Sequence, residues 1–403
     1  MANIMVGCAL SDVNRADMPN GLRVPERLVD YALLFQERAG TMDFSFELQP
    51  EDDWLIPTRF PDEFAERKTN RWWRAFRQNT RMLDVFRAGT GPIGVHQSIR
   101  GRDALSSNAY QKYGSIAATQ QAMSFAHFIR ADYFVFHLAM QEHWGWDRRD
   151  QMAKALRIFK VFEAYYHASN FKFVPCIELS EYPEFPATGG EACDLLHKCR
   201  EIWPATQLVF DISHLWGSMQ RMIEAKMWES VNGVSVPFSE ALDYGLEQTW
   251  EDIYAFHLGG CWESERHAIP GLHPQQDPFR YPIKLRESPG VYAEMGEMDL
   301  NRTLDLIVNY SVRKGRPLNL ILEIFDRDIA QVLEAIRVIR DDLILRAELS
   351  TSLATAPPAA QTRQQKTRSA LKSKSTRRRQ MVEGVSATRA TSAKKKTARK
   401  AKS

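Results

Sequence analysis

Six short apolar runs in this chain each end on a histidine or an acid: Gly94-Val95-His96-Gln97, Phe134-Val135-Phe136-His137, Cys176-Ile177-Glu178, Val209-Phe210-Asp211, Ala255-Phe256-His257 and Ile321-Leu322-Glu323. His214 follows Asp211 by three residues, and Glu265-Arg266-His267 follows the His257 run. One such residue alone is ordinarily a hydrogen-bonded structural group. Six in series, converging on one concave face, are costly unless something positive sits among them. A divalent cation supplies that charge. Imidazole with carboxylate and no thiolate suits Zn²⁺ or Mn²⁺, and Fe²⁺ is compatible. The residue types point to a metal-dependent active site.

The elements that must position these residues are short β-branched or aromatic runs. They fall at Ile4–Leu10, Met42–Leu48, Pro92–His96, Tyr133–Leu138, Phe173–Leu179, Gln207–Ile212, Ile253–Leu258 and Leu318–Ile324. Amphipathic stretches lie between them: Pro25–Ala39, Ser107–Arg130, Arg149–Ser169, Gly190–Trp203, Asp299–Val312 and Ile329–Leu349. Strands alternating with helices imply a parallel sheet with crossovers, and eight strands close a barrel. The expectation is an α/β fold, a (β/α)8 TIM barrel whose strand ends share one face. No glycine-rich phosphate loop of the dinucleotide or P-loop kind is present. Ala268–Gly296 carries five prolines and reads as an excursion over one barrel face. His127, His167 and His197 fall inside helical patterns and read as surface or packing residues, whereas His143 is a candidate for substrate contact. His273 is an alternative ligand to His267.

The near-neutral total conceals an asymmetry. Residues 361–403 hold 15 Lys/Arg and a single acid, Glu383, so residues 1–360 carry a net charge of −11. From Thr351 the chain turns Ala/Pro/Ser/Thr-rich and then Lys/Arg-rich, too poor in apolar side chains to offset the entropy of ordering. The expected organisation is a barrel over residues 1–350 and a disordered basic tail over 351–403, an electrostatic arm for nucleic acid. No run of 18 apolar residues exists to cross a membrane. The start lacks the basic stretch of a signal peptide. Five cysteines without a Cys-x-x-Cys pair fit a reducing compartment. The expected location is the cytoplasm or nucleoid, or the nucleus in a eukaryote.

This pattern resembles the xylose-isomerase-like TIM barrel superfamily, and within it the apurinic/apyrimidinic endonucleases of the endonuclease IV type. Asp211-Ile-Ser-His214 matches that family's Asp-x-x-His. Glu265-Arg266-His267 stands where the family has Asp-Arg-His, and Met295-Gly296-Glu297 looks like its Gly-Glu-Gly stretch. The resemblance implies up to three zinc ions: the first on His96, His137 and Glu178; the second on Glu178, Asp211, His257 and Glu323; the third on His214, Glu265 and His267. It implies hydrolysis of DNA at abasic sites by a metal-bridged hydroxide, with Glu178 and Glu323 as the catalytic carboxylates. Arg100, Arg102, Arg266, Arg280 and Lys284 would supply positive charge for DNA.

The same superfamily holds sugar isomerases and epimerases. They use one divalent ion on residues matching Glu178, Asp211, His257 and Glu323, with the two glutamates moving a proton on a small keto sugar. His96, His137, Glu265 and His267 have no required place in that reaction. A barrel without turnover, serving as a scaffold tethered to DNA, is the remaining reading.

Overall fold

The computed structural model describes residues 3–11, 37, 44–49, 90–97, 104–138, 147–224, 237–262, 265–268, 281–282, 300–324 and 329–355. Seven strands come first in the chain: β1 (Ile4–Ser11), β2 (Phe44–Gln49), β3 (Thr90–His96), β4 (Tyr133–Phe136), β5 (Val174–Glu178), β6 (Gln207–Asp211) and β7 (Ile253–Leu258). They close with β11 (Leu318–Leu322) into a barrel in the order β1-β11-β7-β6-β5-β4-β3-β2, every pairing parallel. Each of the eight runs read from the sequence is a barrel strand. Between β7 and β11, β8 (Gly260–Trp262), β9 (Glu265–Ala268) and β10 (Tyr281–Pro282) form a small antiparallel sheet. The excursion expected to begin at Ala268 therefore begins at Gly260.

Alternation along the strands decides what the barrel encloses. Phe44, Phe46 and Leu48, Ile93 and Val95, Phe134 and Phe136, and Leu318, Leu320 and Leu322 join one large apolar core with the surrounding helices. The intervening Tyr133, Val135, Cys176, Val209 and Ala255 form a separate cluster inside the barrel. Because side chains alternate with period two, the next inward residue is His137 after Val135, Glu178 after Cys176, Asp211 after Val209 and His257 after Ala255. The same step leads from Gly94 to His96, from Ile321 to Glu323, and from Ser45 to Glu47. The site residues are the top layer of the barrel's own filling.

Seven described helices flank the strands: α1 (Ala109–Phe128), α2 (Arg148–Ala168), α3 (Gly189–Ile202), α4 (Ile212–Glu224), α5 (Phe238–Thr249), α6 (Leu300–Lys314) and α7 (Ile329–Thr355). Asn108, Asp147 and Thr188 cap the first three, each accepting a hydrogen bond from an amide of the first turn. Phe136 packs on Phe159 and Phe162 of α2 with ring centroids 5.7 and 5.5 Å apart. His127, His167 and His197 are exposed on their helices, as expected.

Two helices were not among the amphipathic stretches. Helix α4 starts directly after Asp211 and is buried on all sides through Gln220, so it shows no polar face. Ile212, read as the end of a strand, is its first residue. Helix α5 is the other. At the C-terminal end α7 runs to Thr355, five residues past the boundary drawn from composition. The chain divides into Met1–Ala347 and Glu348–Ser403. Of the second unit only 348–355 are described, so the rest of the basic tail lies outside the described residues, as do most of Pro25–Ala39, His143, His273, Arg100, Arg102, Arg280, Lys284 and Met295-Gly296-Glu297.

One close approach tests the packing. A Cβ on Gly189 would fall 2.4 Å from the Gly245 Cα, backbone of α3 against backbone of α5. Gly189→Ala is expected to cost about 1–3 kcal/mol by overpacking. Gly190→Ala, which would meet only Tyr244 Cε1 at 4.0 Å, is expected to be neutral or mildly stabilising. Thermal unfolding of the pair checks this, and equal midpoints would contradict it.

Candidate metal centre

Seven of the nine sequence-read ligands converge at the C-terminal end of the barrel: His96, His137, Glu178, Asp211, His214, His257 and Glu323, all buried. Glu265 and His267 lie on β9, whose side chains are outside the described residues, so their place toward the cluster is not assigned. Glu178 stands at the centre. Its Oε2 is 2.8 Å from His96 Nε2 and 2.5 Å from His137 Nε2, and its Oε1 is 3.2 Å from His214 Nδ1 and 3.3 Å from His257 Nδ1. Asp211 lies 3.2 Å from His214 Nδ1 through Oδ2, while its Oδ1 accepts from the His214 amide at 2.6 Å. The second contact is a helix N-cap, and it explains the Asp-x-x-His spacing: the acid that starts α4 faces the first turn's histidine.

The electrostatics are those of a buried, crowded site. Burial opposes ionisation of Glu178, yet the His137 and His96 rings beside it hold its carboxyl well below the usual range. Burial pushes Asp211 up to about 7, with Glu323 and Glu178 adding to the rise and His214 opposing it. His214 is pushed up to about 10 despite its burial, because Asp211 and Glu178 face it. His257 is raised well above its ordinary value against the same burial, chiefly by Glu47 and Glu323.

The side chains fit divalent ions. His96, His137 and Glu178 bring one ligand atom each within 4.8 Å of one another, and so do Glu178, Asp211, His257 and Glu323. Opposite positions about an ion with bonds of about 2.1 Å are nearly that far apart. The far nitrogens of the rings are also occupied. His96 Nδ1 meets Gln97 O at 2.7 Å, and His137 Nδ1 meets Glu184 Oε2 at 3.1 Å and Ser180 Oγ at 3.2 Å. Each ring is thereby oriented with its other nitrogen toward Glu178, the arrangement by which outer partners fix metal-ligating histidines. The Cys176 thiol, inside the barrel below, is raised by burial and by Glu47 and belongs to none of these donor groups.

Several residues that complete the site were missed from the sequence. Glu47 of β2, fully buried, places Oε2 3.0 Å from His257 Nε2. Gln49 donates to Glu323 Oε1 at 2.9 Å, and Gln97 accepts from the His137 amide at 2.8 Å. Glu184 belongs to the loop after β5, which Arg148 clamps by donating to Pro183 O, Glu184 O and Glu191. The signal for Glu47 and Gln49 was present in Phe-Ser-Phe-Glu-Leu-Gln, where strict alternation sends Ser45, Glu47 and Gln49 to one side. Glu184 had no local signal, since a loop has no period.

No protein-family model matches the chain, and comparison with curated proteins gives no match. Solved structures do match. A Rhodospirillum rubrum protein provisionally named a xylose isomerase is 12% identical, with a TM-score of 0.50 over 85% of this chain and 99% of its own. An L-ribulose 3-epimerase is 13% identical, TM-score 0.49, over 89% of this chain and 99% of its own. Endonuclease IV from Thermus thermophilus is 15% identical, TM-score 0.43, over 84% and 98%. At such identities the likeness concerns the fold.

Proposed function

The chain has the fold of the xylose-isomerase-like TIM barrels, and from that premise we propose that it is a metal-dependent phosphodiesterase acting on DNA at abasic sites. The observation that carries this reading is the division of Glu178, with one carboxylate oxygen facing His96 and His137 and the other facing His214 and His257. A carboxylate so flanked is built to lie between two cations. A one-ion proton-transfer site has no required place for His96 and His137, each of which is nevertheless held by its own outer partner.

His96, His137 and Glu178 would hold one zinc ion, and Glu178, Asp211, His257 and Glu323 a second. His214, Glu265 and His267 are the proposed ligands of a third. Bound there, divalent ions supply Lewis acidity toward a phosphoryl oxygen and bring the ionisation of water toward neutral pH. Glu178 would contribute a ligand atom to both of the first two sites. Glu323, steadied by Gln49 through Oε1, is the group that orients or deprotonates the attacking water. The abasic nucleotide would be turned out of the duplex to reach so enclosed a site. The basic arm, with a net charge of +14 over residues 361–403, would raise encounter with DNA in a salt-dependent way without reading the lesion. We assign the protein to the cytoplasm or nucleoid, or to the nucleus in a eukaryote.

One observation favours a second reading. Glu178, Asp211, His257 and Glu323 group as a four-donor site, which suits a sugar isomerase or epimerase with Glu178 and Glu323 as acid and base and Mn²⁺ as the ion. Elemental analysis of the purified chain, followed by incision of duplex DNA with one abasic site, separates the two. Two to three zinc ions per chain with incision support the phosphodiesterase. One ion, no incision and conversion of a keto sugar would replace it with the isomerase.

A further inference from the structure

Glu47 is a fully buried carboxylate outside the two proposed ligand sets, although one of its oxygens also lies within 4.8 Å of ligand atoms of His96 and Glu323. It lies on β2, on the inward face between Ser45 and Gln49, and reaches across the barrel to β7. Its Oε2 is 3.0 Å from His257 Nε2. The opposite nitrogen of that ring faces the donor cluster: His257 Nδ1 is 3.3 Å from Glu178 Oε1, 3.4 Å from Glu323 Oε1 and 3.8 Å from Asp211 Oδ2. The ring thus spans from Glu47 on one side to the proposed ligands on the other.

A neutral imidazole offers a lone pair at one nitrogen and a proton at the other, and the group that accepts the proton decides which is which. We propose that Glu47 is a positioning residue: it accepts a hydrogen bond from His257 Nε2–H and so commits Nδ1 as the atom presented to metal. His257 is then oriented oppositely to His96 and His137, whose Nδ1 atoms meet outer partners and whose Nε2 atoms face Glu178.

The barrel filling supports the placement. A Cβ on Gly94 would fall 2.2 Å from Tyr133 Cζ, so the ring occupies the space that a side chain at 94 would need. The buried Tyr133 hydroxyl lies close enough to Glu47 that the carboxylate adds to burial in raising its pKa. The layer of barrel filling beneath Glu47 is therefore closely packed.

This inference rests on the metal reading but not on which reaction the site performs. The full-length chain, stripped with a chelator, is titrated with Zn²⁺ against a competing indicator as wild type, Glu47→Ala and Glu47→Gln. The expected result is an unchanged zinc count, with affinity about 10–100-fold weaker in Glu47→Ala and less weakened in Glu47→Gln, which keeps an acceptor oxygen. In ¹⁵N-histidine-labelled wild type loaded with Zn²⁺, the His257 ring, assigned through His257→Gln, is expected to carry its proton on Nε2. Equal affinity in Glu47→Ala overturns the role while the metal reading stands. Loss of a whole ion makes Glu47 a ligand, with His96 and Glu323, and also overturns it. If Glu47→Ala does not fold, the wild-type ring decides, since a proton on Nδ1 is incompatible with the proposal. Failure of the wild type to take up zinc sinks the metal reading itself.

Discussion

Glu178→Gln is expected to leave the barrel folded and to lower kcat/KM on abasic duplex DNA by at least about a thousandfold, ~4 kcal/mol of transition-state stabilisation. The substitution preserves volume in a fully packed layer, so the core has no new cavity to relax into. What changes is the number of acceptor oxygens. Glu178 meets four imidazoles, two on each oxygen, whereas an amide presents one oxygen and turns an NH₂ group toward the other pair. A cation on that side would meet a donor where it needs a lone pair. The zinc count is therefore expected to fall by one or more per chain together with the rate. Elemental analysis and incision assays on the same preparation measure both, with thermal unfolding as the folding control. A variant that keeps its ions and cuts at the wild-type rate would remove Glu178 from the centre of the mechanism.

The second large effect is an inversion of how stability depends on pH. With the metal stripped, thermal stability is expected to fall from about pH 6 to about pH 9, and with zinc bound to rise over the same range. In the stripped protein His214 is pushed up to about 10 and His257 is raised in the same direction. A group whose folded pKa exceeds its unfolded value stabilises fully below the unfolded pKa and loses that contribution as pH climbs toward the folded one. Asp211, pushed up to about 7 by burial, has the same slope: its ionisation is disfavoured in the folded chain, so stability drops as pH rises to and through 7. Glu178 is shifted the other way, but its contribution is lost only as pH falls below the ordinary carboxylate range. Asp211 carries the fall up to about pH 7 and the two histidines carry it above their ordinary range, so between them they cover pH 6–9.

Zinc reverses the slope because it competes with those protons for the same atoms, so its affinity grows as they leave. At a thousandfold excess over Kd each ion adds about 4 kcal/mol to the folded state. Scanning calorimetry of both forms across the range tests this. The difference between them isolates the site from every other titrating group. Parallel pH dependences would mean that the buried histidines do not bind metal.

Much of this was legible before any coordinates. The eight strands are short apolar runs interrupted by longer amphipathic ones, and each proved to be a barrel strand because a buried parallel strand must be apolar on both faces. The histidines and acids stood out because they break those runs at their ends. Where the reading failed, periodicity had failed first. Helix α4 is buried around its whole circumference, which removes the polar stripe that marks a surface helix. Ile212 was drawn into a strand since nothing separates β6 from the helix that follows. Glu47 was overlooked because it lies within its run rather than at the end.

The residue types by themselves determined that imidazole and carboxylate donors able to hold a divalent ion stand at the strand ends, and strand order determined that they share one face. Those are consequences of composition and period, which are local. Tertiary structure decided the rest: that Glu178 is divided between two pairs of rings, that Glu47 reaches His257 from three strands away around the barrel, and that Glu184 is delivered to His137 by a loop held on Arg148. Each depends on which side chains meet across a closed barrel. Such contacts are set by register and packing among elements far apart in the chain, and local sequence carries no record of distance through space.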